Sequence, residues 1–202
     1  MLLRKTAEDR KADIITAVLG LADRLGPDRL TTNDVAQAVG VTQAAVFRHF
    51  PTKAELWTAV GTHIADRLEA AWNDALANGD TAQARLRALI EAQLRQIQDN
   101  PALPSILHSR ELNVENAALR ERFRSVLMQF QTHLVRNIDA MCHAKDLTSE
   151  IDPVDVAVLL TSLVQGIAIR WGLGARRFDI VQEGMRLFEV QLALLTRIEV
   201  RT

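Results

Sequence analysis

The sequence predicts an all-α protein, with a small N-terminal helical domain joined by a long fourth helix to a larger helical C-terminal domain. Three observations carry this. Apolar residues recur every three or four positions over long stretches, the spacing of one helix face. The nine glycines and five prolines fall mostly between those stretches. No segment alternates apolar and polar residues with β-branched enrichment, and tyrosine is absent.

The first helix is expected over about Thr6 to Leu25, with Ile14, Ile15, Val18, Leu21, Ala22 and Leu25 on one face. Gly26-Pro27-Asp28 ends it. Thr31 or Thr32 caps a short helix over about 33–39 whose Val35, Ala36 and Val39 face inward. Gly40 suits the C′ position, where the backbone turns left-handed. Thr42 caps a third short helix to about His49, and Pro51 breaks it. Thr52-Lys-Ala-Glu55 has capping-box spacing and opens a fourth helix past Trp57, Val60, Ile64, Leu68 and Trp72 to about Ala77. Further helices are expected over about 81–99, 103–112 and 115–141. Two more follow, one from Pro153, behind an Asp152 cap, to about Gly172 and one over 179–199. Residues 1–53 read as one domain and 54–202 as the other.

Hydrophobic residues at 48% and charged residues at 24% are the mix of a soluble globular chain. The one cysteine, Cys142, forms no internal disulfide, which suits a reducing compartment such as the cytoplasm. The opening MLLRKTAEDRK turns charged too soon for a signal peptide. The longest apolar run, residues 156–169, spans 14 residues, so it reads as a buried helix and no membrane contact is expected. Residues 1–53 carry eight basic and six acidic side chains and the remainder sixteen and nineteen, too small an asymmetry to argue for nucleic acid by itself.

The motif argues more strongly. Residues 31–50 hold two short helices joined by Val39-Gly40-Val41, with Val35, Ala36, Val39, Val41, Val46 and Phe47 spaced for a tight crossing. This is a helix-turn-helix pattern. The second helix of such a unit enters the DNA major groove, and its first residues reach base edges. Here those are Thr42, Gln43, Ala44, Ala45 and Arg48. Gln43 can pair bidentately with adenine and Arg48 with guanine, while Ala44 and Ala45 permit close approach to a thymine methyl. Thr32 can bond a phosphate beside free backbone N–H groups, and His49 and Lys53 suit a second phosphate clamp. Arg4, Lys5, Arg10 and Lys11 form a basic arm able to add backbone contacts.

The stretch LTTNDVAQAVGVTQAAVFRHFPTKAELW, from Leu30 to Trp57, resembles the DNA-binding signature of the TetR family of bacterial repressors. Val46, the aromatic-x-His-Phe block at 47–50 and Lys53 fall at the family's spacing. Three positions depart from it. Phe47 stands where the family usually has a phosphate-binding Tyr, Ala45 where Thr is frequent, and Asn33 where a basic residue is frequent. The resemblance implies a homodimer that binds a palindromic double-stranded operator and represses transcription. It also implies a small-molecule effector, bound in the C-terminal ligand-binding and dimerisation domain, that releases the DNA.

For that ligand, a pocket needs long apolar side chains with a few polar groups. Leu103, Leu107, Phe123, Leu127, Phe130, Met141, Leu163, Gln165, Ile169 and Trp171 are candidates, Gln165 because it interrupts a strongly apolar helix. They point to a hydrophobic or amphipathic effector. His108 and Glu111 are expected as i, i+3 neighbours on one helix, serving ligand recognition or, more simply, a surface hydrogen bond. No third ligand supplies a metal site, and no cofactor is implied. The last two helices are the expected dimer interface, since VDVAVLLTSLVQGIAIRW is apolar nearly all round and Val181, Met185, Leu187, Phe188, Leu192 and Leu195 follow it. Alternatives are an activator, a regulator without an effector, or a helical enzyme or adaptor that no longer binds DNA. The five histidines fall in no catalytic pattern, and an adaptor would not need Gln43, Arg48, His49 and Lys53.

Overall fold

The computed structural model describes residues 6–147 and 152–196. These form ten α-helices and no strand, as the periodicity predicts. They are α1 Ala7–Leu25, α2 Thr32–Val39, α3 Gln43–His49, α4 Lys53–Ala77, α5 Ala82–Asp99, α6 Leu103–His108, α7 Arg110–Glu115, α8 Ala117–His143, α9 Pro153–Leu173 and α10 Ile180–Thr196. The expected end of the last helix, 197–199, lies outside the described residues, as do Arg4 and Lys5 of the basic arm.

Two expectations need correction. The single helix over 103–112 is two, because Ser109 has an extended backbone (ψ 112°) and its hydroxyl caps α7 by accepting from the Leu112 N–H at 3.1 Å. The second is the length argument against a membrane span, because the apolar run 156–169 is part of the longer helix expected from Pro153, which extends over 21 residues to Leu173. By length and composition alone it could cross a membrane, although 44% of its apolar window is buried inside the protein. Length therefore does not separate the two readings.

The chain forms two compact units: residues 1–66 with 100–124, and residues 67–99 with 125–202. The first is larger than the expected 1–53 domain, because long-range polar contacts tie α7 and the start of α8 to it. Its core gathers Ile14, Val18, Leu30, Val35, Val46 and Leu56, each nearly or fully excluded from solvent. The Ser109 hydroxyl donates to the Asp28 carboxylate in the α1–α2 turn. Asn116 sits between α7 and α8 and is buried. Its amide N–H donates to the Ala54 carbonyl at 2.8 Å and to the Thr58 hydroxyl at 3.2 Å, and its carbonyl accepts from the Leu119 N–H at 3.0 Å.

In the second unit α5, α9 and α10 pack together. Gly184 of α10 lets Leu94 of α5 approach so closely that an added Cβ would lie 2.6 Å from a Leu94 methyl. Trp72 is buried, its indole N–H donating to Gln93 at 2.9 Å and its ring 5.1 Å from that of Phe130. His133 packs edge-on to Trp72, and its buried Nε2 has no partner among the described residues. Burial, and then the positive charge of Arg136, hold the His133 imidazole below its ordinary value. The sign follows from linkage. The unfolded chain takes up this proton near pH 6.5 and the folded one only at lower pH, so stability falls as pH drops through that window. His133→Gln is expected to flatten this part of the profile, measured as the difference in melting temperature between about pH 7.5 and 5.5.

Candidate nucleic-acid interface

The start of α2 is built by Thr31, not Thr32. The Thr31 hydroxyl accepts from the Asp34 N–H at 3.2 Å and the Asp34 carboxylate accepts from the Thr31 N–H at 2.9 Å, a reciprocal capping box. The Thr31 hydroxyl, then its N–H, hold the Asp34 carboxyl below its usual range. Thr32 and Asn33 occupy the first turn, Thr32 half-buried and Asn33 exposed. The other end of α2 closes at Gly40, left-handed at φ 70° and ψ 38°, with the Val41 N–H donating to the Ala36 carbonyl at 3.0 Å. The turn delivers the chain to α3, which Thr42 caps by accepting from the Ala45 N–H at 3.2 Å.

The faces of α3 divide clearly. Val46 and Phe50 are buried and fix the helix on the first unit's core. Ala44 and Arg48, one turn apart, are exposed on the side opposite Val46. Gln43 is exposed at the helix start, where its amide N–H donates to the Thr32 hydroxyl at 2.6 Å. Ala45 and His49 are half-buried along one flank, and Phe47 stands 38% exposed on the other. Lys53, half-buried, is the first residue of α4. The half-buried positions can touch DNA only from the flank, whereas Gln43, Ala44 and Arg48 present free edges. The arrangement offers a bidentate amide, a small residue and a guanidinium on one exposed side, the complement a major groove requires.

Phe47 presents a ring edge without a hydroxyl. Phe47→Tyr is expected to add one charge-assisted hydrogen bond to a phosphate, raising affinity for all DNA sequences alike by about 1–2 kcal/mol per half-site. Titration of specific and random duplexes checks it: both should tighten by the same factor.

The candidate ligand residues divide between the units. In the first, Leu103 and Phe123 are buried, Leu107 is half-buried, and His108 and Glu111 are both exposed. His108 ends α6 and Glu111 lies in α7, so the Ser109 break removes the expected shared helix face. In the second, Phe130, Met141 and Trp171 are buried, Leu163 and Gln165 half-buried, and Leu127 and Ile169 exposed. Trp171 also anchors the turn after α9, its indole N–H donating to the Phe178 carbonyl at 3.0 Å.

Val154, Val158, Leu159, Ile169 and Leu173 leave one side of α9 exposed and apolar, with Ser162 and Gly166 among them. On α10, Met185, Phe188 and Leu192 turn inward, and the exposed apolar residues are Val190 and Leu194. Of the six α10 residues expected at the interface, Met185, Phe188 and Leu192 are buried and Val181, Leu187 and Leu195 half-buried, because periodicity marks a face without saying what it faces. Sequence reasoning also missed Ser109 and Asn116. Their local signal was present, a cap-forming residue three positions before a leucine that is buried in each case, but their partners at Asp28 and Ala54 carry no local trace.

A capped helix, a glycine turn and a second helix with a polar exposed side define a helix-turn-helix DNA-binding module. The family model for bacterial regulatory proteins of the tetR family matches residues 14–60, and that for the BetI-type transcriptional repressor C-terminal region matches residues 82–193. The chain belongs to the TetR family of DNA-binding transcriptional regulators. It is 31% identical over 189 residues to the nucleoid occlusion factor SlmA of Vibrio vulnificus, covering 93% of this chain and 94% of that one. Among solved structures, a TetR transcription regulator from Haloarcula marismortui superposes with a TM-score of 0.79 at 21% identity, covering 93% of this chain and 98% of that one. A TetR-family regulator from Agrobacterium tumefaciens gives 0.79 at 19% identity, covering 95% and 100%. Regulators of this family bind DNA rather than catalyse reactions.

Proposed function

We propose that this chain is a ligand-responsive repressor that acts in the cytoplasm as a homodimer on a palindromic double-stranded operator. The observation that carries the reading is the exposed side of α3, where Gln43, Ala44 and Arg48 stand over a core fixed by Val46 and Phe50. Thr32, Phe47, His49 and Lys53 flank it and are assigned backbone contacts, with Thr42 and Ala45 at the base edges and Asn33 beside them on α2. The exposed apolar residues of α9, Val154, Val158, Leu159, Ile169 and Leu173, with Val190 and Leu194 of α10, support dimerisation through these helices. The effector is proposed to be hydrophobic or amphipathic, because the buried candidates of the second unit, Phe130, Met141 and Trp171, are all apolar. Linkage then requires that effector and DNA weaken each other equally.

The test is selection of bound sites from a random duplex pool, followed by titration of the recovered site against salt. A two-fold symmetric site with log affinity falling linearly in log salt is expected. Binding that selects no sequence and ignores salt counts against the reading.

The likeness to a nucleoid occlusion factor favours a second reading, in which DNA binding serves nucleoid occlusion rather than promoter control. Mapping occupied sites along the chromosome separates the two. A repressor is expected at a few promoters, an occlusion factor at many sites regardless of promoters.

A further inference from the structure

Gln43 and Thr32 lie eleven residues apart on different helices, yet the Gln43 amide Nε2 donates to the Thr32 Oγ1 at 2.6 Å. The Thr32 hydroxyl is available for this because Thr31, with Asp34, does the capping of α2. A glutamine amide has two N–H donors and one carbonyl acceptor. With one N–H given to Thr32, it presents one N–H and the carbonyl. That pair matches adenine, which offers N7 as acceptor and N6–H as donor in the major groove. Turned end for end, with its carbonyl toward Thr32, the amide would present two N–H donors, which match the O6 and N7 acceptors of guanine.

We infer that Thr32 sets the base preference of Gln43, selecting adenine over guanine by fixing which end of the amide faces the groove. The inference rests on the DNA-reading function proposed above. A threonine hydroxyl has a single proton. Once that proton is donated to a backbone phosphate beside the start of α2, the oxygen can only accept, and only the N–H end of the Gln43 amide can face it. Backbone contact and base choice thus become one event. The anchor also restricts the side chain before binding, so less rotamer freedom is lost at the base. Thr32 is a positioning residue: it acts on the base through Gln43.

The experiment uses the full chain and the site recovered from a random duplex pool, together with that site carrying guanine in place of the adenine read by Gln43. Wild type is expected to prefer adenine, and Gln43→Ala to lose that preference. Thr32→Val should lower the adenine-to-guanine affinity ratio about tenfold while its melting temperature stays at the wild-type value, and Thr32→Ser, which keeps the hydroxyl, should retain the ratio. Adding Thr32→Val to Gln43→Ala should change the ratio no further. If Thr32→Val fails to fold, Thr32→Ala takes its place. Equal weakening on both duplexes, with the ratio kept, overturns the inference and leaves the DNA-reading function standing, as does a site whose preferences are untouched by Gln43→Ala. Failure of the wild type to enrich any site overturns both.

Discussion

Ile169→Glu is expected to dissociate the proposed homodimer and to lower operator affinity at least about a hundredfold, roughly 3 kcal/mol. Ile169 is 47% exposed in the single chain, one turn before the C-terminal end of the apolar side of α9 that runs from Val154 to Leu173. Leu173 is 85% exposed at its end, and Val190 and Leu194 extend the apolar surface on α10. In the proposed dimer this surface closes against a second copy, which takes Ile169 out of water in both. A carboxylate there loses its water without gaining a partner, and two-fold symmetry introduces the charge twice. Gly166 adds to the expectation, because nothing lies within 4 Å of a Cβ built on it and a facing helix can come close. A monomer grips one half-site only, so affinity falls with the loss of the second. Sedimentation should show the wild type at twice the monomer mass and the variant at the monomer mass, with helix content unchanged. A variant that stays dimeric would place the interface elsewhere.

Arg48→Ala is the second large effect. Arg48 lies on the exposed side of α3 opposite buried Val46, so its removal leaves the fold intact. A guanidinium paired bidentately with guanine is worth about 1–3 kcal/mol of discrimination, and a dimer makes the pairing in both half-sites. Binding to the recovered operator should weaken by about one and a half to four orders of magnitude, with preference relaxed at one base pair per half-site. Uniform weakening on every sequence would instead assign Arg48 to phosphate, and the salt slope would then shrink by about one for each phosphate no longer neutralised.

What could be read in the sequence was what is local. The αL turn at Gly40, the caps at Thr42 and Asp152 and the buried positions Val35, Ala36 and Val46 all follow from spacing within a few residues. The cap of α2 was legible only as a choice between Thr31 and Thr32, and the choice matters, since it releases the Thr32 hydroxyl toward Gln43. The α6–α7 break was hidden because no glycine or proline stands between Ser105 and Leu112 to mark it. What stabilises that break is Asp28, 81 residues away. Interactions between distant segments depend on how helices cross, and periodicity along one helix carries no record of the crossing.

The ties from Ser109 to Asp28 and from Asn116 to Ala54 and Thr58 also bear on the order in which the protein matures as it is made. The helix-turn-helix is complete as sequence by His49, but the unit that holds it draws on residues up to Arg124. Until α7 and the first turn of α8 have left the ribosome, the Asp28 carboxylate and the Ala54 carbonyl lack these partners. The helix-turn-helix is therefore synthesised early and finished late, after about three-fifths of the protein has emerged.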